Sequence, residues 1–73
     1  MTNLRDIQIE LYNIKVATPR MAARELAAKF TDVVVIDAPT QDRAIIGCSE
    51  CIVEVKWMNR KHSGIIAHEA SCN

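Results

Sequence analysis

The residues of this 73-residue sequence with the clearest capacity for chemistry are two cysteines separated by two residues, Cys48 and Cys51. His68 and Cys72 follow them, so that the full spacing is C-x2-C-x16-H-x3-C. Zinc prefers four thiolate or imidazole ligands in a tetrahedron, and proteins often supply them as two close pairs. Cys48, Cys51, His68 and Cys72 are therefore the candidate ligands if zinc is bound, and the metal would also stabilise so small a chain.

The same cysteines also fit a purely structural interpretation. No glycine or proline lies between Cys48 and Cys51 to shape a metal knuckle. Cys51 opens an apolar, strand-like run, in which a cysteine packs as a small hydrophobic residue. His62 offers a second spacing, C-x2-C-x10-H-x5-H, and such ambiguity is typical of chance. We therefore predict no resident cofactor, with zinc as the alternative.

Catalytic chemistry has weaker support in the sequence. A thioredoxin-type Cys-x-x-Cys activates its thiol at a helix N-terminus, but the residues that follow Cys51 are strand-like. Ser63 beside His62, and His68 beside Glu69, are adjacent residues, whose side chains point to opposite faces of a strand. Neither pair forms a ready nucleophile and base, so we predict that the protein is not an enzyme.

Charge is balanced along the whole chain. Nine Lys and Arg residues match nine Asp and Glu residues, and neither half has an excess of one sign. Nucleic-acid binding depends on several cations that neutralise phosphates, so a nucleic-acid partner is disfavoured. One local concentration of positive charge remains beside Trp57. It is the predicted partner-binding set, and it consists of Lys56, Arg60, Lys61 and His62.

Composition indicates a folded chain inside the cell. Hydrophobic residues make up 49% of the sequence, which is too many for a disordered tail. No apolar run reaches the ~20 residues of a membrane span, and no basic leader precedes an apolar core, so we predict neither a membrane partner nor secretion. Three cysteines, an odd number, fit a reducing compartment. The expected location is the cytoplasm.

One helix and several strands are needed to position these residues. Thr18 is a good N-cap, Pro19 suits the first helical position, and residues 20–30 are rich in Ala and Leu. We predict a helix there, with a buried face that is mostly alanine. Its members are Ala22, Ala23, Leu26, Ala27 and Phe30.

Residues 7–17 support two interpretations. Apolar and polar residues alternate, with a slip near Tyr12, as in a strand with a bulge. Leu4, Ile7, Leu11 and Ile14 also form a helical stripe. We favour the strand because the segment is rich in β-branched residues.

The remaining segments predict a sheet. Residues 33–36 are four β-branched residues in a row, which is typical of a strand buried on both faces. A turn at 39–42 leads into an extended, apolar segment at 44–48, in which Gly47 marks a bulge or a bend, and on into an alternating run at 51–58. A polar loop at 59–64 connects this run to the last strand at 65–70. Trp57 is expected to face the core with Val53 and Val55. The predicted fold is α+β, in the order β-α-β-β-β, as a single domain over residues 1–73. A mostly antiparallel sheet of about four strands would carry one helix on one face.

Function follows by elimination. A small sheet exposes edge strands, which are templates for strand addition or dimerisation. We expect a non-enzymatic protein-binding module that blocks a surface of a larger protein complex, and that can form a homodimer. Accessory and inhibitor proteins that phages and other mobile elements encode against host defence or regulatory complexes are the class that fits. The alternative is a zinc-stabilised module that contacts nucleic acid or a nucleoprotein complex through residues 56–62.

Overall fold

Two helices precede a four-stranded antiparallel sheet. The computed structural model describes residues 1–49 and 51–72, and of Cys72 only the backbone. The sheet order is β1-β2-β3-β4, and both helices lie on one face, here called the inner face. The predicted α+β class with an antiparallel sheet of four strands is confirmed. The elements are α1 (Leu4–Asn13), α2 (Pro19–Lys29), β1 (Val34–Thr40), β2 (Arg43–Gly47), β3 (Cys51–Trp57) and β4 (Ile65–Cys72).

The first element is a helix, so the prediction of a bulged strand in residues 7–17 is wrong. A capping box starts α1: the Asp6 N–H donates to the Asn3 side chain at 2.9 Å, and the Asn3 N–H donates to the Asp6 carboxylate at 3.2 Å. The stripe that begins at Leu4 packs on the inner face, and Ile7 is fully buried. This apolar face outweighs the β-branched content, because only a helix places it on one side. The sheet therefore carries two helices rather than the one predicted.

Helix α2 forms as predicted. The Thr18 hydroxyl accepts a hydrogen bond from the Met21 N–H at 3.2 Å, and Pro19 follows at the start of the helix. Its alanine-rich face lies against the middle of the sheet, where small side chains let the helix backbone come close. The buried core joins Ile7 and Val33 to Ala22, Ala23 and Leu26 of α2, and to Ala44, Ile46, Val53, Val55 and Ala67 of the sheet.

The β1 strand is not buried on both faces, which corrects the prediction for residues 33–36. Val34 is 58% exposed and Ile36 is 54% exposed, although Val33 is buried. The reason is tertiary: β1 is an edge strand, and neither helix covers the outer face of the sheet. β1 also continues through Pro39 to Thr40, and β4 continues through the predicted tail to Cys72.

No helix among the described residues is long and apolar enough to cross a membrane.

Asp32 connects three separate parts of the chain. Its carboxylate accepts hydrogen bonds from the Thr2 N–H at 2.7 Å and from the hydroxyls of Thr2 and Ser49, each at 2.5 Å. The Ser49 and Thr2 bonds favour the charged form and hold the pKa of Asp32 well below its usual range. The N-terminus and the β2–β3 turn are therefore both tied to the α2–β1 connection.

We predict that Asp32→Asn lowers the melting temperature at pH 7, since the amide offers a weaker acceptor to Thr2 and Ser49. The lowered pKa sets the sign of the pH dependence. The stabilisation is fully present above the pKa of an unfolded aspartate, ~3.9, and is lost as pH falls below that value. Thermal melts followed by circular dichroism should show the gap between wild type and variant narrowing as pH falls from 5 towards 2 (roughly the span over which such carboxylates titrate).

Asp37→Asn is the matched control, because Asp37 is an exposed aspartate of β1. A gap between wild type and Asp32→Asn that stays constant with pH, or an equal effect of Asp37→Asn, would contradict this role of Asp32.

Candidate functional site

Cys48 and Cys51 close the turn between β2 and β3. The Cys48 N–H donates to the Cys51 carbonyl at 3.0 Å, and the Cys48 thiol lies 3.2 Å from the same oxygen. Both side chains pack partly against the hydrophobic core. The Cys51 sulfur lies 3.7 Å from a Glu69 carboxylate oxygen. The backbone of Cys72 is paired with that of Cys51, and its side chain lies outside the described part of the structure.

His68, the other predicted zinc ligand, lies on the opposite face of the sheet from Cys51. Ala67 is buried on the inner face, so its neighbour His68 projects from the outer face. There the His68 Nε2 lies 2.6 Å from the Glu54 Oε1. The structure therefore does not bring His68 together with the two cysteines. Within residues 1–49 and 51–71, no three His, Cys, Asp or Glu side chains are grouped so that they could hold a metal ion.

The basic hairpin tip, residues 58–64, is built around an aromatic stack. The His62 ring lies parallel to the Trp57 ring, with centroids 5.0 Å apart and an interplanar angle of 6°. The Trp57 Nε1–H donates to the Asp42 carboxylate at 2.9 Å. Trp57 is on the inner face, as predicted, but it is half-buried at the end of that face rather than enclosed in the core.

Asn59 holds the backbone of this tip in place. Its side-chain Oδ1 accepts hydrogen bonds from the Lys61 N–H at 3.0 Å and the Ser63 N–H at 3.3 Å, while its side-chain amide nitrogen donates to the Ser63 hydroxyl at 2.9 Å. Ser63 is thus part of the hydrogen-bonded turn. Arg60 and Lys61 are both exposed at the tip.

Lys56, the fourth member of the predicted partner-binding set, is separated from the tip. It lies on the outer face of β3, where its register partners are Arg43 on β2 and Ile66 on β4. The predicted set therefore divides between two surfaces, with Arg60, Lys61 and His62 at the tip.

The outer face carries a charged cluster in its centre. The Glu54 carboxylate pairs with the Arg43 guanidinium on one side and the His68 ring on the other. The hydrogen bond from Arg43 is the largest cause that lowers the pKa of Glu54, and it outweighs the partial burial that would raise it. Glu54 is therefore held ionised between two basic groups.

An apolar patch lies beside this cluster, and sequence reasoning missed it. We define the outer patch as Val34, Ile36, Ile45 and Ile52, side chains of the outer face of which Ile45 is the least exposed. Gly47 leaves space for the Ile36 side chain of this patch, because a Cβ at position 47 would stand 3.0 Å from the Ile36 Cδ1. The β-branched run in β1 is a usable signal for this patch, but on its own it indicates a strand buried on both faces.

A groove of about 710 Å³ runs between α1 and the free edge of β4. Its walls include exposed apolar side chains: Ile9 is 52% exposed, Tyr12 is 88% exposed and Met58 is 59% exposed. The Gln8 side-chain amide crosses the groove and donates to the Ala67 carbonyl at 3.1 Å. The sequence could not indicate this α1–β4 groove, because it depends on residues 7–13 being a helix.

We predict that His62→Ala shifts the fluorescence emission of Trp57 to longer wavelength, because removing the stacked ring exposes more of the indole to water. Trp57 is the one tryptophan of the chain, so its emission is read directly. His68→Ala removes the other histidine from a distant surface and should leave the emission unchanged. An unshifted emission in His62→Ala would show that the stack is absent in solution.

Comparison with known protein families, curated proteins and solved structures gives no significant match for this chain. Among the described residues, the outer patch, the hairpin tip and the α1–β4 groove each group several exposed apolar, aromatic or basic side chains.

Proposed function

We propose that this protein is a non-enzymatic protein-binding module that covers a surface of a larger protein through the outer face of its sheet. The observation that carries the proposal is the outer patch, in which Val34 and Ile36 are each more than half exposed. Contiguous apolar side chains with a polar rim are typical of interaction sites on small soluble domains.

The energetics require an interface larger than the patch. Each side chain of the outer patch is already partly covered, so burying the remainder contributes roughly 1 kcal/mol apiece. Association itself costs an estimated ~4–15 kcal/mol in lost translational and rotational freedom, which is at least as much as the four side chains of the patch supply together. Neighbouring groups on the same face must therefore contribute.

The neighbouring groups favour an acidic rim on the partner. Lys56 lies on the outer face beyond Glu54, and the Arg43 side chain remains 53% exposed although it pairs with Glu54. An apolar protein surface bordered by Asp or Glu side chains would complement this arrangement. The exposed Arg60 and Lys61 at the hairpin tip would extend the same preference.

The positions of the histidines also support binding rather than catalysis. His62 stacks on Trp57, and His68 contacts Glu54 on the outer face. Each ring thus helps to order a surface. The Ser63 hydroxyl is likewise engaged by Asn59.

We predict that the double variant Val34→Lys, Ile36→Lys no longer binds the partner protein that the wild type binds. Both side chains are exposed, so the fold should survive, while the new charges oppose burial of the patch. Immobilised protein would be exposed to an extract of its native host, and a retained protein would then be purified and its affinity measured by calorimetry.

Met21→Lys is the matched control, because Met21 is an exposed apolar residue on α2 at 45%. The proposal requires that Met21→Lys binds like the wild type and that the double variant binds at least ~30-fold more weakly, a loss of about 2 kcal/mol. Equal binding by all three proteins would refute the outer patch as the contact. Charge reversal of Arg60 and Lys61 then measures how much the hairpin tip contributes to the affinity for the partner.

A further inference from the structure

The two edges of the sheet differ in their capacity to accept another strand. On β1, two register shifts and Pro39 interrupt the edge, and the Arg20 guanidinium donates a hydrogen bond to the Ala38 carbonyl at 2.9 Å. On β4, pairing with β3 is regular from Ile65 to Glu69. Irregular, proline-containing edges resist strand addition, whereas regular ones invite it.

The backbone of β4 shows which groups face outward. The Met58 N–H donates to the Gly64 carbonyl at 2.8 Å, which sets the phase of the β3–β4 pairing. Because hydrogen-bonded and non-hydrogen-bonded pairs alternate, Ile66 and His68 bond to β3, while the N–H and C=O groups of Ile65 and Ala67 point away from it. The contact between Gln8 and the Ala67 carbonyl agrees with this outward direction.

We infer that this edge binds a second copy of the chain, with the two β4 strands antiparallel about a twofold axis at Ile66. In that arrangement, Ile65 of each copy pairs with Ala67 of the other, and their outward N–H and C=O groups form hydrogen bonds across the axis. The Ala67 carbonyl has two lone pairs, so it accepts from the second copy without displacing Gln8. The two Ile66 side chains meet on the outer face.

Charge complementarity favours a second copy as the occupant. Arg60 and Lys61 precede β4, whereas Glu69 lies towards its far end. Antiparallel pairing places the basic tip of each copy next to the acidic end of the other, and this happens twice because of the symmetry. An unrelated strand would have to supply both charges itself.

The α1–β4 groove supplies the apolar part of the contact. Ile9 and Tyr12 line it from α1, and both are more than half exposed in the single chain. The α1 helix of a second copy would approach this groove from the opposite direction. Arg5 also lines the groove, one helical turn before Ile9, so that the symmetric approach brings Arg5 towards Tyr12 of the other copy, where a cation–π contact can form.

This dimer is independent of the proposed partner surface. Edge pairing through β4 leaves the outer patch on β1, β2 and β3 uncovered. Self-association is measured on the isolated chain, whereas the proposed function is measured by capture of another protein. Either inference can therefore fail without the other.

The experiment is sedimentation velocity of the full chain from low to high micromolar concentration. The wild type should convert from a particle of 8.2 kDa to one of twice that mass. Ile66→Lys, which places two like charges on the axis, should remain monomeric throughout. Ile52→Lys makes the same change on the same face, but on the interior strand β3, and should dimerise like the wild type.

Amide hydrogen exchange locates the contact without any substitution. The N–H groups of Ile65 and Ala67 should become protected as the concentration of the wild type rises, while the N–H of Val35 on the β1 edge should not. A wild type that stays monomeric overturns the inference, and so does a dimer that Ile66→Lys leaves intact or that leaves Ile65 and Ala67 unprotected. A monomer whose β4 edge instead pairs with a strand of another protein would also overturn it.

Discussion

The close packing of α2 on the sheet is the constraint on which the rest of the structure depends. Ala22 and Ala23 carry nothing beyond a Cβ, so the helix backbone lies close to β2 and β3, whose core residues Ile46 and Val53 are fully buried like the two alanines. None of the described elements covers the other side of the sheet. The hydrophobic core is therefore one-sided, and the outer face and the β4 edge are left to solvent or to partners.

The position of α1 follows from that of α2. Because α2 packs over β1, β2 and β3, α1 packs on the inner side of the remaining strand, β4. Polar contacts secure it from both ends: Thr2 bonds to Asp32, and the Lys29 ammonium pairs with the Glu10 carboxylate at 2.7 Å. A helix held by its ends over the last strand leaves a groove along the edge of the sheet.

Local signals were enough to predict α2, the strands β2 to β4 and the polar hairpin, since caps, alternation and loop composition are properties of short segments. The first helix was mispredicted because Ile7, Ile9 and Ile14 favour a strand locally, while the burial of its stripe on β4 is a long-range effect. The exposure of Val34 and Ile36 could not be predicted either, because it depends on which strand lies at the edge. The opposite placement of Cys51 and His68 required the register between β3 and β4, which a single sequence does not reveal.

The interrupted edge of β1 has a consequence for the size of any assembly. A sheet with two regular edges can recruit copies without end and grow into a fibre. Here Pro39, the register shifts and the Arg20 side chain obstruct the β1 edge, so that β4 is the one regular edge in the described sheet to which another strand can add. Strand addition would then stop at a pair of chains. The irregular β1 edge thus opposes fibre growth in a sheet that exposes four β-branched side chains, those of Val34, Val35, Ile36 and Ile52.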